Sequence, residues 1–393
     1  MPVTTRLRDA ALALHRELTG GGAEPRLFFA PGRVNLLGAH VDYNGGVVMP
    51  AALSRGTCMA ISPRADGRLR VRSSNFPNDA VEVALADLRP GRTRGWSAYL
   101  EGAVWSASRD WGQPPGLDVA VCADLPMAKG LSSSASIECV TVFALAALLD
   151  VRTTEDEMIR LAHDAETCYV GVRCGILDQA AILLAKAGSL LHFDCLELTR
   201  EHLPFDAERL AIAVVDSGMQ RELASSAFNQ RVAECTQALA VLQEQLPGVT
   251  CLRDVKREDF ERLRGRLRAP LERRVQHVVE EVERTMEGAM RLRAGDLEGF
   301  GALVSACHRS LRDAYEVSTP ELDVLAEASW QVDGCLGARL AGAGFGGCVV
   351  ALVDPEATAD FEKAVPAAYA EATGRVAEVR WFRPSGGPFE YGA

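Results

Sequence analysis

Pro126-Met-Ala-Lys-Gly-Leu-Ser-Ser-Ser-Ala135 is the stretch on which the fold turns. The short apolar run Leu117–Ala123 precedes it and reads as a strand. An apolar run long enough for a helix, from about Ser132 to Leu149, follows it. Glycine at this junction lets the backbone approach a ligand closely. The free N–H groups of a helix start point outward with the positive end of the dipole. Three hydroxyls in the first turn add donors and an oxygen ligand for magnesium. The composition suits a phosphate cradle, and a serine-capped helix start has the same composition. The spacing is not GxxxxGK[ST], so the turn is not a Walker loop.

Outward from this junction, strands and helices mix without strict alternation. Residues 6–19, 96–109, 154–169 and 177–186 read as helices. Leu27–Leu37 and Gly46–Ser62 read as strands around the turn Tyr43-Asn44-Gly45-Gly46, whose Asn-Gly-Gly is a hairpin signal. A second block opens near Leu210 with the strand AIAVVD and continues through four helices, about 222–245, 271–293, 297–315 and 320–332. A glycine-rich turn (342–347) then leads into the strand Cys348–Val353, and a helix (355–372) and a last strand (376–382) close the chain. This order predicts an α+β fold in two lobes, residues 1–205 and 206–393, rather than a doubly wound sheet.

At 393 residues the chain is long enough for two cores, and its net charge of −11 argues against non-specific nucleic-acid binding and against a polybasic membrane patch. No apolar run reaches the ~18 residues that a membrane span needs, and the N-terminus lacks the long apolar centre of a signal peptide. Eleven scattered cysteines without a CxxC pair point to reduced thiols in a cytoplasmic chain. His192 and Cys195 have ligand-like spacing, but no second pair completes a zinc site.

Three further segments carry chemistry. Ala30–Gly46 (APGRVNLLGAHVDYNGG) crowds Arg33, His40 and Asp42 into an apolar, turn-rich stretch, which suits a hydroxyl-rich ligand as well as ordinary turn chemistry. Cys174–Ala185 (CGILDQAAILLA) places Asp178 in an apolar helix, where a carboxylate is costly unless paired. Upstream, Glu166 lies on a separate helix. One acid for an acceptor hydroxyl and one for a metal are the two carboxylates that a kinase needs. Ala341–Gly347 (AGAGFGG) reads as a tight turn or a ligand loop, and its place before a strand disfavours a dinucleotide fingerprint.

Together and in this order, these segments resemble the GHMP family of small-molecule kinases, and within it the galactokinase branch. Gly32–Gly46 is similar to the galactokinase signature, Pro126–Ser136 to the family's phosphate motif and Leu340–Cys348 to its third motif. The resemblance implies an N-terminal lobe like domain 2 of ribosomal protein S5 and a ferredoxin-like C-terminal lobe, with the site between them. It implies Asp178 as the acid at the anomeric hydroxyl, acting as base or as electrostatic positioner, and Arg33 as its partner. Ser134 and Glu166 would hold Mg²⁺. Lys129, Gly130, Leu131, Ser132, Ser133 and Ser134 would surround the phosphates of ATP, and Trp96 would lie on the adenine side. His40, Asp42 and Gly175 would meet sugar hydroxyls.

Three positions depart from the galactokinase pattern. Ala39 stands where galactokinases carry a glutamate near the C6 hydroxyl, Phe228 where they carry a tyrosine, and Arg173 where a small residue or proline is usual. Plant galacturonokinases share the alanine. Loss of a negative charge at Ala39 and gain of a positive one at Arg173 suit a C6 carboxylate. The expectation is an ATP- and Mg²⁺-dependent sugar 1-kinase favouring D-galacturonate, with D-galactose as the alternative. A non-catalytic sugar and nucleotide sensor is the competing class. Monomer and dimer both stay open.

Overall fold

The computed structural model describes residues 3–22, 24–126, 129–219 and 224–392. Among these residues twelve strands run in chain order: β1 (Arg26–Leu37), β2 (Val47–Pro63), β3 (Arg68–Ser73), β4 (Phe76–Ala84), β5 (Leu117–Ala123), β6 (Ser189–Asp194), β7 (Arg200–Pro204), β8 (Ala211–Asp216), β9 (Cys335–Leu340), β10 (Cys348–Val353), β11 (Glu378–Phe382) and β12 (Phe389–Glu390). The helices are α1 (Val3–Thr19), α2 (Ser97–Trp111), α3 (Ser133–Leu148), α4 (Glu155–Asp164), α5 (Leu177–Leu183), α6 (Ala224–Gln243), α7 (Arg257–Leu263), α8 (Leu271–Arg293), α9 (Leu297–Asp313), α10 (Pro320–Trp330) and α11 (Thr358–Thr373).

Strand periodicity sorts the first lobe into layers. Its main sheet has the order β12-β1-β2-β5-β3-β4, with β6 and β7 attached through β2. On one face Phe29, Cys58, Ala60, Ala120 and Cys122 meet Leu7 and Ala11 of α1. Their sequence neighbours Phe28, Met59, Ile61, Val119 and Val121 point the other way, into the main core with α2, α3 and α4. The second lobe is a four-stranded antiparallel sheet, β11-β8-β10-β9, covered by α9 and α10. The two sheets and their helices make an α+β molecule in two lobes.

Two features differ from the expected layout. β7 ends at Pro204 and β8 opens the other sheet at Ala211, but the C-terminus returns to the first lobe, where Phe28 pairs with Glu390 and Leu53 bridges Pro384. Instead of one helix over 154–169, α4 stops at Asp164 and the chain continues as a π-turn over Ala165–Val170. The N–H groups of Gly171 and Val172 both donate to the Glu166 carbonyl, and Gly171 closes the turn in the left-handed region. Among the described residues no helix is long and apolar enough to cross a membrane.

Candidate active site

Between the lobes lies a cavity of about 280 Å³. Its construction begins at Ala30-Pro-Gly-Arg33. Pro31 has no N–H for the ladder, and the β1–β2 register slips between Pro31 and Arg33. Gly32 admits the phosphate turn, since a Cβ there would sit 2.7 Å from the Leu131 carbonyl. Arg33 then reaches the cavity almost fully buried. Its backbone N–H donates to Leu131 O at 3.2 Å and its Nη1 to Gly130 O at 2.7 Å.

Asp178 occupies the first turn of α5. Arg33 donates to its Oδ1 from Nε at 2.7 Å and also from Nη2, while the Ser132 hydroxyl donates to its Oδ2. Ser132 stands just before α3 at φ 55°, and Gly130 precedes it at φ 86°. These left-handed turns lead the chain into α3 at the edge of the cavity. Ser133 and Ser134 of its first turn also line the cavity.

On the sugar-motif side, His40, Asp42 and Gly175 line the same cavity. A Cβ on Gly175 would meet Asp42 Oδ2 at 2.4 Å, so glycine is what lets the 171–176 loop close on the carboxylate. Burial, and then the charge of Asp178, push the Asp42 carboxyl up to about 6. Burial holds His40 neutral, well below the ordinary histidine range. Its Nε2–H donates to the Ala343 carbonyl at 3.2 Å, which leaves Nδ1 to accept from the Tyr43 hydroxyl at 2.9 Å. Both ring nitrogens are thus engaged within the protein. Phe228 closes the wall, its ring 5.6 Å from that of His40.

Glu166, in the π-turn, is 7% exposed, and burial followed by the Asp178 charge raises its carboxyl to about 7. Hydrogen bonds from Gln179, Cys174 and Ser134 oppose the rise. An under-compensated carboxylate beside a serine hydroxyl fits a magnesium ion, which takes one or two protein oxygens and completes its shell with phosphate and water. Among the described residues no cluster of three or more His, Cys, Asp or Glu forms a fuller metal cage.

Four expected residues do not line the cavity. Trp96 stacks on Phe76, ring centroids 5.5 Å apart, and its Nε1–H donates to Asp79 at 2.8 Å. Lys129 turns to the second lobe, pairing with Asp216 at 2.8 Å and donating to Met219 O at 2.9 Å, so its charge is spent on tying the phosphate turn in place. The Leu131 side chain is core, leaving only its backbone to the turn. Arg173 is exposed on the loop before Gly175, directed by neither a buried partner nor the cavity wall.

The structure adds residues that sequence reasoning missed. Arg339 of β9, 1% exposed, lines the cavity beside Ala39. It donates to Leu340 O at 2.8 Å and to Leu36 O at 3.4 Å, with Cys307 Sγ at 3.5 Å. Its one signal in the sequence is a charge inside the apolar strand run LGARLA. Tyr99, from α2, lines the wall near Glu166.

The chain is similar to known proteins over most of its length. The chain matches the galactokinase galactose-binding signature over residues 13–63, the GHMP kinase N-terminal domain over 98–186 and the GHMP kinase C-terminal domain over 286–371. It is 39% identical over 358 residues to a galactokinase of Roseiflexus sp. (strain RS-1), covering 91% of each chain. Identity to the galactokinase of Bacillus subtilis (strain 168) is 37% over 371 residues, 94% of this chain and 95% of that one. Lactococcus lactis galactokinase in complex with galactose superposes with a TM-score of 0.93 at 34% identity, covering 98% of this chain and 99% of that one. Methanococcus jannaschii mevalonate kinase shares the fold at a TM-score of 0.66 and 18% identity, covering 92% and 99%. The chain is a GHMP kinase of the galactokinase family, an ATP:sugar 1-phosphotransferase.

Proposed function

We propose that the enzyme phosphorylates the anomeric C1 hydroxyl of a galacto-configured sugar and that D-galacturonate is its favoured substrate. The observation that carries the reaction is the Arg33–Asp178–Ser132 cluster facing the start of α3. In phosphoryl transfer the protein's work is positioning and charge stabilisation. Asp178 orients the C1 hydroxyl and accepts its proton, and Arg33 offsets negative charge on the transferring group. The N–H groups and hydroxyls of residues 132–134 hold the phosphates. Mg²⁺, held by Ser134 and Glu166, would neutralise phosphate charge. Scattered cysteines without a CxxC pair suit a reducing, cytoplasmic setting.

The uronate preference rests on the pair Ala39 and Arg339. Ala39 presents a methyl group where a glutamate would repel a C6 carboxylate. Arg339 supplies buried positive charge that donates to two carbonyls and a thiol beside the Glu281 carboxylate, and it takes the role first expected of Arg173. D-galactose is the second reading, favoured by the relatives' names and by the Lactococcus lactis complex.

An ADP-release assay with galacturonate, galactose, glucuronate and arabinose tests both. The expected result is a higher kcat/KM for galacturonate than for galactose, eroded or reversed by Ala39→Glu. A preference for galactose in the wild type ends the uronate proposal.

A further inference from the structure

Behind the metal side of the site lies a carboxyl group that the reaction does not use. Glu138 sits on α3 one turn beyond Ser134 and has no exposed surface. Gln179 Nε2 donates to Glu138 Oε2 at 2.9 Å and, with its second N–H, to Glu166 Oε2 at 2.8 Å. Both donors of this amide are therefore used. The two remaining atoms, Glu138 Oε1 and Gln179 Oε1, are buried with no hydrogen-bond partner.

Two orphan acceptors on either side of one hydrogen bond share a single remedy. A carboxyl that accepts from a primary amide closes a ring with it when its other oxygen carries a proton, and that O–H donates to the amide oxygen. One proton then satisfies both orphans. The ring uses one N–H of Gln179 and leaves the other free for Glu166, which is the arrangement present. Glu138 has no exposed surface, and burial favours the neutral form of a carboxyl.

We propose that Glu138 is a positioning residue: a neutral carboxylic acid that closes an acid–amide pair with Gln179 and so fixes the N–H that Gln179 offers to Glu166. The proposal rests on the assignment of Glu166 to magnesium. Gln179 also follows Asp178 in the first turn of α5, so the pair fastens that turn to α3. Glu138 itself does not line the cavity.

Glu138→Gln keeps both bonds of the ring, since an amide both donates and accepts, whereas Glu138→Leu removes them. The expected result for Glu138→Leu is an Mg²⁺ requirement raised by roughly 10–100-fold, the usual effect of losing a group that orients a metal ligand. Its sugar KM should stay little changed, and Glu138→Gln should restore the wild-type Mg²⁺ requirement. Independently of turnover, an infrared difference spectrum between metal-free wild type and Glu138→Gln at neutral pH should show the carbonyl band of a protonated carboxyl group. Absence of that band overturns the proposal, as does a Glu138→Gln enzyme impaired as severely as Glu138→Leu. A Glu138→Leu enzyme with wild-type Mg²⁺ dependence overturns the positioning role even with the band present. If Glu138→Leu does not fold, the band and the Glu138→Gln kinetics decide. Unchanged Mg²⁺ affinity in Glu166→Gln would instead remove the metal assignment, an outcome separate from the state of Glu138.

Discussion

Asp178 is a carboxylate placed where an apolar helix begins, and its surroundings show what offsets that placement. Arg33 and Ser132 donate to both of its oxygens, yet it remains open to the cavity that the sugar would enter. Asp178→Asn preserves shape while removing the charge and the proton acceptor. The expected outcome is a kcat lowered by roughly 10²-fold or more with sugar affinity largely kept; near-normal turnover would take Asp178 out of the mechanism. The oddity of Asp178 was legible because a charge inside CGILDQAAILLA is costly unless it is paired, and a paired acid in an apolar run points to a site. The same held for the crowding of Arg33, His40 and Asp42. Arg173 and Lys129 misled for one physical reason: a long cationic side chain reaches in any direction, and its sequence position does not say which. Trp96 stacks on a strand twenty residues away, a neighbour that no local pattern announces. Arg339 was the reverse case, a charge whose strand context signalled burial but not the cavity it faces.

At the scale of elements, loops rather than helices decide whether the acids meet. The 171–176 loop leaves the π-turn that holds Glu166 and delivers Asp178 at its other end, and Gly175 presses it onto Asp42. Gly175→Ala would put a Cβ 2.4 Å from Asp42 Oδ2 and 2.7 Å from the Tyr43 amide nitrogen, so the loop must retreat. The expected outcome is a kcat/KM for sugar lowered by about 10²-fold, since a displacement of about 1 Å at a site costs that much. The KM for ATP should stay within a small factor, because the start of α3 does not share the clash. Equal losses for both substrates would show that the loop acts on the whole site. Strand and helix spans were largely legible from periods of two and 3.6 residues. The π-turn was not, because it shifts a hydrogen-bond register by one residue without a marker residue type. β12 is two residues long and forms only because the C-terminus returns to β1, a long-range pairing without local signal.

For the molecule as a whole, a buried polar contact joins the lobes in addition to the linker near residue 205. Glu281 of α8, in the second lobe, accepts from the backbone N–H groups of Gly38 at 2.8 Å and Ala39 at 3.2 Å, in the first. It pairs with Arg284 and accepts from the Cys307 thiol, and His277 Nε2 donates to the Ala39 carbonyl at 2.9 Å. The sugar loop is thereby gripped by the other lobe on both sides of Ala39. Burial alone would raise the Glu281 carboxyl, but Arg284, His277 and Arg339 hold it below the ordinary glutamate range. Glu281→Ala leaves Arg284 without that partner and orphans two amides, a change expected to cost about 3–5 kcal/mol in unfolding free energy near neutral pH. Because the contact spans both lobes, denaturation should remain a single transition that shifts as one. The pH dependence follows from the depressed carboxyl. Its stabilisation is present above the unfolded-state pKa and is lost as pH falls through the folded one, so the gap between wild type and variant should narrow in acid. Calorimetry of both proteins across pH checks this. A loss below ~1 kcal/mol, the usual worth of an exposed ion pair, or a gap that does not change with pH, would show that the lobes are held together elsewhere.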